Sequence, residues 1–238
     1  MYKVLLYSGG MDSWLISHIW KPDAKVYVNM HTRYSEAEIA RIKQNEPDVQ
    51  IVDFPLGQWE RDDAIIPLRN LYLIMVICNI TKDRDVEICL GATAGDRVLD
   101  KSYTFIDKAT DLLNYLYQPQ HWIPSGKKVK INIDFKNKTK TQIIKQFVDN
   151  GGNLEDAFNY SFSCYDPVNG KECWHCKPCF RKYVSFKLNG YIFDKHIDET
   201  VYNYLKTEIV PKIENGTYGR KDEEPEIMKV YKMLCEEL

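Results

Sequence analysis

Val4-Leu5-Leu6-Tyr7-Ser8-Gly9-Gly10-Met11-Asp12-Ser13 decides the fold, because an apolar run passes straight into a paired-glycine turn and then into a segment with helical spacing. Adjacent glycines let backbone N–H groups converge on an anion with no Cβ in the way, and the helix that follows adds its positive N-terminal end. Ser8 and Ser13 supply hydroxyl donors. Asp12 beside a polyphosphate makes sense when a divalent cation lies between the two negative groups. The turn thus predicts a magnesium nucleotide or pyrophosphate as ligand. It has neither the Gly-Lys-Ser/Thr ending of a Walker A loop nor the Gly-x-Gly-x-x-Gly spacing of dinucleotide folds.

Outward from this turn, apolar runs alternate with amphipathic segments over the first two-thirds of the chain, the pattern of a parallel sheet with helices on both faces. Strands are predicted at 3–7, 25–30, 49–54, 86–92 and 128–135. Helices are predicted at 13–20, 35–46, 69–81 and 105–116. Another starts at Thr139, where Thr139-Lys140-Thr141-Gln142 offers a capping box, and stops at Asn150-Gly151-Gly152. The expected class is a doubly wound, mainly parallel five-stranded α/β fold over 1–152, followed by a zinc-binding and helical region over 153–238. In the second part, helical pieces are expected at 180–190, 196–210 and 224–237. The run Asn215 to Pro225 reads as an exposed loop whose charges are a solvated surface. Ligands of doubly wound sheets bind beyond the carboxyl ends of the strands, which is where the first glycine turn belongs.

The 238 residues carry a formal net charge of −2, with 44% hydrophobic and 28% charged residues, so nothing in the bulk charge favours nucleic acid or membrane as a general partner. The longest apolar stretch, Leu71 to Ile80, is too short to cross a bilayer, and no secretory signal is evident. A cytoplasmic location is expected, where clustered cysteines suggest metal before disulfide.

Four of the seven cysteines, Cys164, Cys173, Cys176 and Cys179, form a Cys-x8-Cys-x2-Cys-x2-Cys array. Four thiolates at this spacing can meet around one tetrahedral Zn²⁺ with no position left open for chemistry, so a structural zinc is the favoured reading. An iron–sulfur cluster uses the same donors, a redox Cys-x2-Cys pair is a further rival, and His175 is an alternative ligand. Cys78, Cys89 and Cys235 fall in apolar segments and read as core thiols.

Ser8-Gly9-Gly10-Met11-Asp12-Ser13 resembles the PP-loop of the adenine nucleotide alpha-hydrolase superfamily, whose members cleave ATP between the α and β phosphates. With the cysteine array downstream, the chain resembles the 7-cyano-7-deazaguanine synthase (QueC) family over residues 1 to about 187. Ile66-Pro67-Leu68-Arg69-Asn70 is similar to that family's Val-Pro-x-Arg-Asn segment, and Asn137 through Ile144 to its Lys-Thr-Lys-x-x-Ile-Val stretch. Ser163-Cys164-Tyr165 through Cys179-Phe180-Arg181 is similar to its zinc segment.

The resemblance implies a Rossmann-like nucleotide-binding fold and an ATP-dependent carbon–nitrogen ligase of queuosine biosynthesis, using ATP, Mg²⁺ and Zn²⁺. Its substrates would be 7-carboxy-7-deazaguanine and ammonia, and a homodimer is plausible. It assigns ATP to Tyr7, Ser8, Gly9, Gly10, Met11, Asp12 and Ser13, with Met30 and His31 at the adenine. Arg69 would bind phosphate or carboxylate, and Lys140 would lie near the nucleotide. Asp12, Ser13 and Arg69 are the catalytic candidates. The bland alternatives are an Arg69 that caps its own helix region and a solvated Lys140.

One stretch departs from the family. Where its members carry Gly-Tyr-Pro-Asp-Cys-Arg, this chain has Gly95-Asp96-Arg97-Val98-Leu99-Asp100-Lys101-Ser102. Asp96 and Asp100 are candidates for the substrate's guanine-like edge and equally for helix caps. The altered loop leaves open an enzyme that stops at the amide, or one that passes an activated deazapurine to DNA or protein. A PP-loop tRNA thiolase and a non-catalytic nucleotide-binding module with a partner-binding zinc segment are the more distant readings.

Overall fold

The structure, a computed structural model, describes residues 1–164, 167 and 170–238; Tyr165 of the cysteine segment lies outside them. The chain folds into two compact units. One comprises 1–9, 16–92 and 96–136; the other comprises 10–15, 93–95 and 137–238.

The first unit holds a five-stranded, wholly parallel sheet in the order β3-β2-β1-β4-β5, built from β1 (Tyr2–Leu6), β2 (Ala24–Asn29), β3 (Gln50–Asp53), β4 (Val86–Cys89) and β5 (Val129–Asn132). The chain runs outward from β1 on one side through β2 to β3, then on the other through β4 to β5, so β1 stands where the strand order reverses. The strands match the sequence expectation but are shorter at their carboxyl ends, because residues there leave the ladder to form the loops. All four residues of β4 are buried, as expected of a strand covered on both faces. Val4, Val26, Val28, Ile88 and Ile131 from the sheet join Ile74, Ile77, Ile106 and Leu113 in one apolar core. The last four lie on α3 (Arg69–Ile80) and α4 (Tyr103–Leu116).

At the carboxyl end of α3, buried Lys127 donates to the Cys78 carbonyl at 2.6 Å, the Thr81 hydroxyl at 2.8 Å and the Lys82 carbonyl at 2.7 Å. An ammonium has three N–H groups, so all are used, and its charge sits where a helix C-terminus favours a cation. α1 (Met11–Trp20) and α2 (Ser35–Asn45) complete the helices before α3.

The second unit is helical after α5 (Lys140–Asp149): α6 (Leu154–Tyr160), α7 (Lys177–Leu188), α8 (Lys195–Tyr204), a π-helical turn at Leu205–Ile209, α9 (Val210–Glu214) and α10 (Glu224–Glu237). The capping box forms as predicted, with Gln142 N–H donating to the Thr139 hydroxyl and Thr139 N–H to the Gln142 side chain. α7 packs on α5 and α10, and its buried face includes Phe180, Tyr183, Val184 and Phe186. α6 was not expected; at seven residues, capped by Asn153, it is too short to show a helical period.

Two other expectations are corrected. Cys235 is exposed on α10 while Leu234 beside it is buried, so it is no core thiol; Cys78 and Cys89 are buried as expected. Glu223, expected in a solvated charge run, is only 7% exposed because Arg181 on α7 binds its carboxylate. No described helix is long and apolar enough to cross a membrane.

Candidate functional site

The glycine turn directly follows β1 at the carboxyl edge of the sheet. Tyr7, still tied to β2 by its N–H to the Val26 carbonyl at 2.8 Å, is buried, and Ser8 is exposed. Gly9 has φ +70°, a conformation that favours glycine, and a Cβ there would press on Ile42 Cγ1 at 3.0 Å. Gly10 then makes a parallel bridge to Phe162, and its carbonyl accepts the first α1 hydrogen bond from Trp14 N–H at 3.0 Å. Ser13 is buried and its hydroxyl also donates to that carbonyl, at 2.9 Å. Met11, the first residue of α1, is buried.

Asp12, in the first turn of α1, is held by Lys140: the ammonium donates to both carboxylate oxygens. Lys140 is the first residue of α5 and is positioned by the Thr139 capping box. Burial and the nearby Arg181 guanidinium press the ammonium below the ordinary lysine range, against the pull of Asp12 and Glu223. The solvated-lysine reading of Lys140 does not hold, since its side chain is largely buried.

Met30 and His31 follow β2. The Met30 carbonyl accepts from Leu56 N–H at 3.0 Å and Gly57 N–H at 2.7 Å. His31 adopts φ +56°, an unusual conformation for a residue with a Cβ, and its Nε2 lies 3.0 Å from Asp53 Oδ1. Arg69 opens α3 behind Leu68, which has φ +61°. Arg69 is half-buried and lies within electrostatic reach of Glu38. Asp100 accepts the Asn70 N–H at 3.2 Å, capping α3, and Asp96 pairs with Lys101 at 3.0 Å. Both candidate substrate carboxylates therefore have partners within the chain.

In the second unit the Sγ atoms of Cys164, Cys173, Cys176 and Cys179 all lie within 4.8 Å of one another, with Cys173 and Cys179 at 4.0 Å. A tetrahedral ion with bonds of about 2.3 Å to sulfur would set its ligands roughly 3.8 Å apart, so the cluster fits one metal ion. Trp174 at φ +62° makes the tight knuckle turn, and Cys164 Sγ accepts the Cys173 N–H at 3.4 Å. Burial and the neighbouring thiols push the Cys173 thiol up to about 12, because thiolates crowded together need a cation between them. His175 is exposed and takes no part in the cluster. Beneath the knuckle, Lys182 is buried, donating to the Ser161 carbonyl at 2.6 Å and Glu172 at 2.9 Å.

In the sequence Arg181 stands out only as a residue downstream of the cysteines, and its partners are not evident there. Arg181 Nε donates to Glu223 Oε2 at 2.8 Å and Nη2 to Oε1, while Tyr218 OH donates to Oε2 at 3.0 Å. The paired elements lie about forty residues apart in sequence, and no local pattern signals such a pair.

Fold and site together define a doubly wound α/β protein with a paired-glycine turn after its first strand and a cluster of four cysteines after its sheet that could hold a metal ion. The chain belongs to the family described as queuosine biosynthesis protein QueC, whose sequence model matches residues 40–190. It is similar to the 7-cyano-7-deazaguanine synthase of Pseudoalteromonas translucida, at 24% identity over 220 residues covering 79% of this chain and 94% of that protein. The protein of that name from Rickettsia africae is 25% identical over 223 residues, covering 79% and 94%. The one from Leptospira interrogans is 35% identical over 65 residues, a match that spans 27% of this chain and a quarter (25%) of its own length.

Proposed function

We propose that the protein is an ATP-dependent carbon–nitrogen ligase that converts 7-carboxy-7-deazaguanine and ammonia to 7-cyano-7-deazaguanine. The observation that carries this reading is the Lys140 ammonium on Asp12, in the first turn behind the glycine turn. The backbone N–H groups of Ser8 to Ser13 receive the triphosphate, Met30 and His31 face the adenine, and Lys140 and Arg69 serve its oxyanions.

A substrate carboxylate oxygen attacks the α-phosphorus, the bond to the bridging oxygen breaks, and pyrophosphate leaves. Ammonia then adds to the acyl carbon of the adenylate and expels AMP, leaving the amide. The amide oxygen then attacks the α-phosphorus of a second ATP and a second pyrophosphate leaves; loss of AMP and of the nitrogen's protons gives the nitrile. The protein's share of this work is positioning and neutralisation of the leaving pyrophosphate. Mg²⁺ held at Asp12 would shield the phosphates, and the polyanion that arrives with it would draw Lys140 from the carboxylate. Zn²⁺ on Cys164, Cys173, Cys176 and Cys179 would act as a staple of the fold, since four protein ligands leave no open position. A cytoplasmic homodimer completes the proposal.

A second reading is favoured by the 95–102 stretch, in which Asp100 caps α3 and Asp96 pairs with Lys101. In it the enzyme stops at the amide, or hands an activated deazapurine to an amine on DNA or protein. Mass spectrometry of the products from 7-carboxy-7-deazaguanine, Mg-ATP and ammonium decides between the two. The nitrile supports the first reading, amide alone supports the second, and no AMP-forming turnover contradicts both.

A further inference from the structure

Lys140, Arg181, Glu223, Glu226 and Ser185 line one small cavity of ≈ 10 Å³, space for a single water. Four charges of the second unit meet around it. Lys140 holds Asp12, and Arg181 grips Glu223 with two parallel donors. Burial makes this arrangement costly, and apolar side chains of similar volume would commonly stabilise such a place as well or better. The Arg181 pair is nonetheless built with care. Tyr218 OH adds a third hydrogen bond to the Glu223 carboxylate, and Arg220 Nη1 stands 3.6 Å from it with no hydrogen bond among the described residues. A Cβ on Gly95 would come within 3.0 Å of both Arg220 Nη1 and Glu223 Oε1, so the main chain itself closes one side.

Arg181 is also within electrostatic reach of Asp12, and Lys140 within reach of both Arg181 and Glu223. The fork on Glu223 uses Nε and Nη2 and leaves the Nη1 donors for another acceptor. A guanidinium fixed along one edge presents the other to an oxyanion at low entropic cost, and phosphate oxygens suit it well.

We propose that Arg181 is a further phosphate-binding cation of the Asp12–Lys140 site, aimed by Glu223 and Tyr218. The inference rests on the reading of that site as an ATP site. Its two aiming residues, Glu223 and Tyr218, lie in the C-terminal segment beyond residue 190, where the match to the family model ends.

The test measures Mg-ATP binding by calorimetry without any deazapurine, alongside zinc content and thermal stability, on Arg181→Gln, Arg181→Lys, Glu223→Gln and Tyr218→Phe. R181Q is expected to weaken ATP binding about tenfold or more with zinc retained, and R181K to restore part of the loss. E223Q and Y218F leave the guanidinium present but poorly aimed, and each is expected to weaken ATP binding by about threefold. Should R181Q fail to fold, the two aiming variants decide alone. Folded variants that bind ATP as the unaltered protein does, whatever their stability, overturn the proposal. That result would leave the deazapurine reaction standing, whereas an unaltered protein that binds ATP but makes neither nitrile nor amide would remove the reaction and spare Arg181.

Discussion

Single residues in this chain are tuned by what surrounds their charge. Glu87 on β4 shows the effect: burial works against its ionised form, but the Asn132 amide at 2.9 Å and Lys130 at 2.8 Å outweigh it and hold the carboxyl below the usual glutamate range. A carboxyl with a lowered folded value contributes stability above its unfolded value, about 4.3, and loses it as the pH falls through the folded value. Urea midpoints measured between neutral and acid pH are therefore expected to fall less steeply below about pH 4.3 in Glu87→Gln than in the unaltered protein. Parallel curves would show that Glu87 has the same proton affinity folded and unfolded.

Elements matter here chiefly for the residues they aim. α5 begins at Thr139 with a complete capping box, and the same hydroxyl donates to Glu226 at 2.7 Å. Thr139→Ala is expected to cost about 1–2 kcal/mol in denaturant unfolding and, by loosening the first turn, to weaken the hold of Lys140 on Asp12. A loss well below that range would mean that packing of Ile143, Ile144 and Phe147 alone fixes the helix. This cap was legible because both of its members lie within four residues of each other. The glycine turn was legible for the same reason, and the alternation of strands with helices and the cysteine spacing were legible because each is a regular pattern along continuous sequence. α6 was not, being seven residues long, and the burial of Glu223 was not, because the residue that buries it lies 42 positions away. The carboxyl ends of the strands were overextended because apolar residues such as Leu90 and Ala92 continue the buried pattern after the ladder has ended.

For the molecule as a whole, the cluster of four cysteines that could hold a metal ion is the feature beyond the sheet with the most direct bearing on stability. Three of its cysteines are buried and none of the four is in a disulfide, so removing one leaves crowded thiols near the buried Lys182–Glu172 pair. Cys176→Ser is expected to lose the metal and to become unstable or insoluble, because the binding free energy of a structural metal is part of the folding free energy. Metal analysis of the unaltered protein should give one zinc per chain; a metal-free, soluble and fully active Cys176→Ser would refute a structural role.

The central claim is that the amides after β1 cradle a nucleotide's phosphates with Asp12 and Lys140 beside them. The most direct measurement is a crystal structure with a non-hydrolysable ATP analogue and Mg²⁺. The account predicts the triphosphate against Ser8 to Ser13, the metal on Asp12 and Lys140 turned from the carboxylate to phosphate oxygens. A nucleotide bound elsewhere, or a turn left empty at saturating ligand with Lys140 still on Asp12, would contradict it.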